Sequence, residues 1–410
     1  MTVWFADMIP RQTGLFLLVA MVAAGGLGAQ SASRPVSRLD ARAMAADGGP
    51  TLEVAAADTA LGAALVRDAG LWADPGLATS WTKSAPQYHV ELSWPIDLPG
   101  IRSSRLRAAR SSAEAFRLGW SAAQINAAMT ADTLYLRALE AEAVTRASAA
   151  DATTAEQLAA MSRAGLAAGE TSRFDASLAA LSAARSRDQV AGDSLDLRAA
   201  MLALQRAAGD STSVIHWTLT DSLTAPVVPA PSRLNADLLA ADASARAADE
   251  AIRSARHTRW SGTSLLTGIE FGDPAVANHQ LLPVIGVSIP IPLFNRGRGA
   301  TAIAEAEAIR AGAVRTTLRR ELDAQLVLYR EQFASAMERL GRDDTLLTTA
   351  DDLEQMAVQG YREGETGLAA VLEAARIARE IRVMRAHHLA DAMIAAVVLE
   401  HVGLLAPEAP

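Results

Sequence analysis

The chain has 410 residues, a formal net charge of −8 and no cysteine. The length is enough for two or three domains, and the absence of cysteine excludes disulfides and thiolate metal sites. The mild acidic excess argues against a nucleic-acid partner, which needs a clustered basic face.

The N-terminus has the pattern of a secretory signal peptide. Arg11 precedes an apolar run from Gly14 to Ala29, so residues 1–29 are expected to be removed. An N-terminal membrane anchor is the alternative, but the run is short and no stop-transfer pattern follows. Residues 30–50 are expected to be disordered. No later segment is apolar for long enough to cross a bilayer as a helix, so membrane association would need strands or an apolar face.

Two stretches of the chain repeat at one spacing. Pro95 in LSWPIDLPGIRSSR aligns with Pro290 in VSIPIPLFNRGRG, and the tripeptide GET at 169–171 aligns with GET at 364–366. Both matches have an offset of 195 residues, with no gap between them. The sequence therefore predicts two tandem repeats.

Each repeat contains a predicted β-hairpin, near 77–97 and near 260–294. Apolar residues alternate with polar or small ones in both hairpins, which is typical of strands with one apolar face. A barrel wall in lipid needs such a face. The residues expected on it are Leu77, Thr79, Trp81, Tyr88, Val90, Leu92, Trp94, Ile96, Leu265, Thr267, Ile269, Phe271, Ile285, Val287, Ile289, Ile291 and Leu293.

Long helices are predicted after each hairpin, because proline is absent and Ala, Leu, Glu and Arg dominate. The first, from Arg102 to roughly Arg163, would be a rod of about 90 Å. Each rod is expected to end in a tight turn, from which a second helix returns. The first repeat is predicted at 51–210, with a leading helix and long helices at 101–208. A linker at 211–232 separates it from the second repeat at 233–404, which has a leading helix and long helices at 299–403. Residues 405–410 form a tail.

Four strands are too few to close a membrane barrel, since the smallest single-chain barrels have eight. An open edge in lipid leaves unpaired backbone groups that cost several kcal/mol each. Three copies would supply twelve strands and a ring of long helices. The chain must therefore oligomerise into such a hollow tube or stay out of the membrane.

Three stretches resemble a known family, the TolC-like outer membrane efflux proteins. VSIPIPLFNRGRGATAIAEAEA (287–308) resembles their second strand-to-helix junction, YREGETGLAAVLEA (361–374) their helical turn, and RAGLAAGETSRFDASLAA (163–180) its first-half counterpart. The similarity covers about residues 50–404 and is strongest to the branch paired with resistance-nodulation-division pumps. It implies a mixed α and β membrane protein, in which a trimer forms a 12-stranded β-barrel continued by a periplasmic α-helical barrel.

The resemblance also implies a function. The chain would be the passive outer membrane channel of a tripartite efflux system, conducting substrates such as drugs or metal ions. Its partners would be two further copies, a periplasmic adaptor, an inner-membrane pump and outer membrane lipid, with no nucleic acid. A type I secretion outlet of the same family is the alternative. No cofactor, resident metal or enzymatic activity is expected.

The turns between long helices would form the periplasmic tip, where an adaptor docks in this family. Glycine would end one helix in each turn, and Thr171 or Thr366 would cap the next. Asp175 has no acidic counterpart in the second turn, so it is either a gate acid or a helix N-terminal charge. The expected tip residues are Gly169, Glu170, Thr171, Gly364, Glu365 and Thr366.

The strand-to-helix junctions are expected to be stiffened by proline and surrounded by arginine. A phosphate-binding loop is an alternative for NRGRG. However, the first repeat has Arg102 and Ser104 at the positions aligned with Gly297 and Gly299. A basic collar beside lipid headgroups fits both copies. The junction residues are Pro95, Pro290, Pro292, Arg296 and Arg298, with Arg102 and Arg105 in the first copy.

The remaining signals point to no chemistry. His387, His388 and His401 lack companions at chelating spacing in the sequence and are expected to be surface or core histidines. No GxSxG, HExxH or P-loop motif is present. Two other classes stay open: a soluble periplasmic helical scaffold, and a periplasmic enzyme with the Arg/Gly loop as an anion site.

Overall fold

The computed structural model describes residues 33–210, 216–227, 235–273, 281–291, 293–294 and 296–402. The predicted signal peptide at 1–29, the tail at 405–410 and Pro292 lie outside these ranges. The elements are β1 (Ser33–Val36), α1 (Arg38–Gly48), α2 (Leu52–Gly70), β2 (Gly76–Trp81), β3 (Tyr88–Pro95), α3 (Ile101–Ala168), α4 (Arg173–Ala207), β4 (His216–Leu219), α5 (Ala236–His257), β5 (Ser264–Phe271), β6 (Leu282–Ser288), α6 (Arg298–Glu363) and α7 (Leu368–Val402).

Two very long helices set the dimensions of the molecule. α3 has 68 residues and α6 has 66, so each is about 100 Å long. The buried positions of α3 are mostly alanine and serine, which lets neighbouring helices approach closely. The mixed, mostly helical fold expected from the sequence is confirmed. Within the described ranges, no helix is both long and apolar enough to cross a membrane.

The four-stranded sheet has the order β2-β3-β5-β6, with every pair antiparallel. β2 pairs with β3 and β5 with β6, and the two hairpins join through β3 and β5. β2 and β6 are therefore its edge strands. β6 ends at Ser288, although the alternating pattern continues to Leu293, and Pro290 has no N–H to extend the ladder.

The helices other than α1 pack side by side in one layer, and near the turns α3, α4, α6 and α7 also share a buried cluster. Near the sheet the order of contacts is α2-α3-α5-α6, and towards the turns it is α4-α3-α7-α6. α6 thus lies on one outer side along its whole length, below the edge strand β6. α2 and α4 lie on the other outer side, with β2. The two outer sides of the helix layer therefore lie below the two edge strands of the sheet.

The structure corrects the expectation of disorder at 30–50. β1 and α1 form there from Ser33 onward, and Ser37 begins α1 with a capping box to Asp40. β1 pairs in parallel with β4, which lies in the segment expected to be an irregular linker. This pairing joins residues about 180 positions apart, so no local sequence pattern marks it.

Candidate functional site

The two turns between long helices lie at one end of the molecule and have the same hydrogen bonds. Gly169 and Gly364 have left-handed backbones, with φ of 79° and 75°. The N–H of Glu170 donates to the carbonyl of Gly165 at 2.8 Å, and the N–H of Glu365 donates to that of Gly360 at 2.8 Å. Each is a glycine-terminated helix end of the Schellman type.

The threonines of the two turns do not cap the following helices as expected. Ser172 is the N-cap of α4, and Gly367 directly precedes α7. The side chains of Thr171 and Thr366 instead lie over Gly165 and Gly360, where any Cβ would collide with them. Neither Gly165 nor Gly360 was predicted to matter for the turns. They could have been found, because they too are 195 residues apart.

Asp175 lies in the first turn of α4. Its backbone N–H donates to Ser172 Oγ at 3.0 Å, and Ser172 Oγ donates to its carboxylate at 2.7 Å. This geometry belongs to a helix start, where a negative charge is favourable. Ala369 and Ala370 begin α7 without such an acid.

An open groove of about 770 Å³ separates the two turns. Glu170, Thr171 and Asp175 line one side, and Tyr361, Gly364 and Thr366 line the other. Tyr361 also makes a hydrogen bond of 2.8 Å through its hydroxyl with Ser162 Oγ of α3, which is buried. Glu170 and Glu363 line the groove and are exposed, so the groove presents acidic side chains and turn backbone to solvent.

The histidines of α7 take part in contacts between helices. His387 Nδ1 pairs with Glu140 of α3, and His388 Nδ1 lies 2.6 Å from Asp343 of α6. Eight residues before His387 on α7, Arg379 Nε donates to Ser148 Oγ of α3 at 2.9 Å. These contacts hold α7 between α3 and α6. No group of potential ligands among the described residues could hold a metal ion.

A buried polar cluster lies midway along α3. The Tyr135 hydroxyl is 2.8 Å from the Asp221 carboxylate and 2.9 Å from the Val36 carbonyl oxygen. Burial, together with the Asp221 carboxylate, raises the pKa of Tyr135 to about 12. Arg38 donates to the fully buried Asp132 at 2.9 Å. The cluster ties β1, α1 and the segment after β4 to α3.

The two faces of the sheet differ in polarity. The pairing register sets Trp94 opposite Leu265 and Leu265 opposite Val287, so these three share a face. The opposite face carries His89 and Glu270, with Nδ1 and the carboxylate 3.0 Å apart. The apolar face comprises Leu77, Thr79, Trp81, Tyr88, Val90, Leu92, Trp94, Leu265, Thr267, Ile269, Phe271, Pro283, Ile285 and Val287.

The apolar face of the sheet is open to solvent in the isolated chain. Ile285 is 80% exposed and Leu77 is 69% exposed. Aromatic contacts lie on it: the rings of Tyr88 and Phe271 stack with centroids 5.0 Å apart. A contiguous exposed apolar surface of this extent marks a membrane or protein contact.

The arginines at the two junctions have different surroundings. Arg102 Nη2 donates to the Gly70 carbonyl at 2.7 Å, and Arg105 Nε donates to the Ala69 carbonyl at 3.1 Å. Both therefore cap the end of α2, and their place in a basic collar beside lipid headgroups stays a prediction. Arg296 and Arg298 are exposed.

The junction prolines differ as well. Pro95 is the last residue of β3, and Pro290 follows the end of β6.

The fold has clear counterparts among solved structures. The outer membrane protein VceC from Vibrio cholerae superposes with a TM-score of 0.71 at 18% identity, covering 89% of this chain and 95% of VceC. The CmeC outer membrane channel of Campylobacter jejuni gives 0.72 at 15%, covering 89% and 85%. The open-state MtrE outer membrane channel of Neisseria gonorrhoeae gives 0.65 at 15%, covering 89% and 90%.

Comparisons of the sequence alone find no match, either among models of known protein families or among curated proteins. At the identities given above, the structural likeness establishes the fold. The resemblance expected from the sequence is confirmed at that level.

Proposed function

We propose that this chain is the outer membrane channel of a tripartite efflux system. Three copies would close a 12-stranded barrel in the outer membrane and an α-helical tube in the periplasm. Substrates such as drugs or metal ions would pass through without chemical change. Energy would come from an inner-membrane pump, reached through a periplasmic adaptor.

The apolar face of the four-stranded sheet carries this proposal. One chain leaves that face exposed and leaves both edge strands, β2 and β6, unpaired in the sheet. Unpaired edges and an apolar face are each unfavourable in a monomer, and a closed barrel in lipid satisfies both. The solved structures of the same fold are described as outer membrane proteins or channels, which supports this location.

The polar sheet face then lines the lumen, with His89, Glu91 and Glu270 directed into water. The groove between the turns at Gly169 and Gly364 would receive the adaptor. Asp175 would serve α4 as a helix-start residue, and as a gate acid only if the three copies bring it to the axis. Arg296 and Arg298 would lie at the membrane surface, beside anionic headgroups.

Purification from outer membranes in detergent, followed by native mass measurement and planar-bilayer recording, tests the proposal. A trimer with stable ion conductance is expected. A monomer without conductance, or recovery in the soluble fraction without detergent, would exclude the channel and favour the helical scaffold. Replacing Gly169 and Gly364 with Leu should impair export while leaving the trimer intact, and unchanged export would remove the tip assignment.

A further inference from the structure

The helix α4 has an exposed row of residues spaced by seven. Phe174, Leu181, Leu195 and Leu202 are 74%, 70%, 60% and 54% exposed, and Asp188 occupies the middle position of the row. The buried residues of α4, among them Ala179 and Ala183, face the other way, towards α3. A seven-residue row of this kind is the seam of a coiled coil that lacks its partner helix.

The helix α6 has a second exposed row with the same spacing. Leu346 and Leu353 are 44% and 40% exposed and continue the row towards the turn. The remaining members are Gln325 and Gln332, which are exposed, and Arg339, which is half-buried. α4 and α6 lie on opposite outer sides of the layer, so the two rows of one chain cannot cover each other.

The observed packing of α3 on α7 supplies a register for the two rows. Ser148 contacts Arg379, and Glu140 contacts His387. Adding the repeat offset of 195 to a position in α3 gives the equivalent position in α6, and subtracting 195 from a position in α7 gives the equivalent position in α4. The Ser148–Arg379 contact then corresponds to Asp343 beside Ala184. The Glu140–His387 contact corresponds to Ser335 beside Gly192.

This register aligns the two rows position by position. Asp188 lies midway between Ala184 and Gly192, and Arg339 lies midway between Asp343 and Ser335, so Asp188 faces Arg339. The same register sets Phe174 against Leu353 and Leu181 against Leu346. The acid of one row thus meets the base of the other, and the apolar residues nearest the turns meet each other.

We propose that α4 of one copy packs antiparallel against α6 of a second copy, with Asp188 paired to Arg339. The inference rests on the homotrimer proposed above and specifies its helical interface. α4 runs away from the turns and α6 runs towards them, so two copies with parallel axes bring these helices together antiparallel. The charged pair favours one register, because a displacement by seven residues would place Asp188 against Leu346 or Gln332, which carry no charge.

A second copy fits these rows better than an unrelated protein. Both rows lie on the same sides of the molecule as the open strands β2 and β6. In the described part of the chain, Asp188 has no hydrogen bond or ion pair. The Arg339 Nε donates to the Ser335 carbonyl of its own helix at 3.3 Å, which leaves its other nitrogens available to a partner.

Disulfide trapping tests the register directly, because the natural chain has no cysteine. A full-length variant with both Leu181→Cys and Leu346→Cys is expected to form disulfides between copies. These should give covalent dimers and trimers and nothing larger. The control pair Leu181→Cys with Leu353→Cys is displaced by seven residues, about 10 Å along the helix, and should remain uncross-linked. Each single cysteine should also remain uncross-linked.

Charge reversal gives an independent measurement. Asp188→Arg and Arg339→Asp should each lower the temperature at which the trimer survives in detergent, and the double reversal should recover most of the loss. Additive losses in the double variant would overturn the pairing.

The outcomes separate this inference from the proposed function. A conducting trimer in which only the displaced cysteine pair cross-links overturns the register and leaves the channel intact. A conducting trimer in which neither pair cross-links means that something other than a second copy covers the rows of α4 and α6. This result also overturns the inference. A chain that is monomeric under all conditions overturns both.

Discussion

Single glycines determine the shape of the turns at the tip. Gly165 and Gly360 lie one helical turn before the left-handed glycines, and the side chains of Thr171 and Thr366 cover them. A methyl group at either position would collide with a threonine whose β-branch restricts its rotation. The two turns therefore need two glycines each, one for backbone angle and one for space.

We expect Gly165→Ala to open the first turn despite the higher helix propensity of alanine. The displaced Thr171 would weaken the hydrogen bonds from Glu170 and Thr171 to the carbonyl of residue 165, so these amides should exchange hydrogen faster. Gly341→Ala is the matched control, because nothing lies within 4 Å of its added methyl group. It should be neutral or stabilising by about 0.5–1 kcal/mol. Equal protection of the turn amides in both variants would contradict this account.

The buried hydroxyl of Tyr135 predicts a loss of stability at alkaline pH. Its pKa is raised to about 12 in the folded chain, whereas an exposed tyrosine ionises near pH 10. The stabilisation is therefore complete below about pH 10 and is lost between about pH 10 and 12, on the order of 2 kcal/mol. Thermal unfolding in detergent across this range should show the loss in the natural chain. Tyr135→Phe should be less stable at neutral pH and should lack this part of the alkaline loss.

At the scale of elements, the two faces of the sheet should respond differently to the same charge. Ile285→Lys places an ammonium group on the apolar face and should prevent stable insertion, at a cost of about 2–4 kcal/mol near the bilayer midplane. Glu91→Lys places it on the polar face, which the proposed lumen would hydrate. Outer membrane yield and trimer content should fall in the first variant only. Similar yields for both would mean that the apolar face does not meet lipid.

Much of the element order could be predicted from the sequence, because alternation and proline-free runs are local signals. The junctions could not be predicted in the same way. Gly100 and Gly297, both with left-handed backbones, directly precede α3 and α6. They are 197 residues apart rather than 195, so an ungapped alignment pairs Gly297 with Arg102 instead. The second repeat has two more residues before its helix, and α6 is two residues shorter than α3.

At the scale of the whole molecule, contacts between the repeats were the least predictable. His387 appears in the sequence as a polar residue on a helix, yet it pairs with the Glu140 carboxylate on α3, in the other repeat. The same holds for Arg379, which reaches both Ser148 and Asp193. These pairings depend on how the two helical hairpins lie together, and one sequence contains no signal for that arrangement.

The order of packing places α6 on an outer side from end to end, with α2 and α4 on the other. The buried clusters of the chain lie between its helices, whereas the outer sides of α4 and α6 carry exposed apolar residues such as Leu181 and Leu353. If further copies cover these sides, the folded fraction obeys mass action as well as the contacts within the chain. The folded fraction then rises with the concentration of the chain in the cell envelope. At a low enough concentration, a chain without any mutation could unfold.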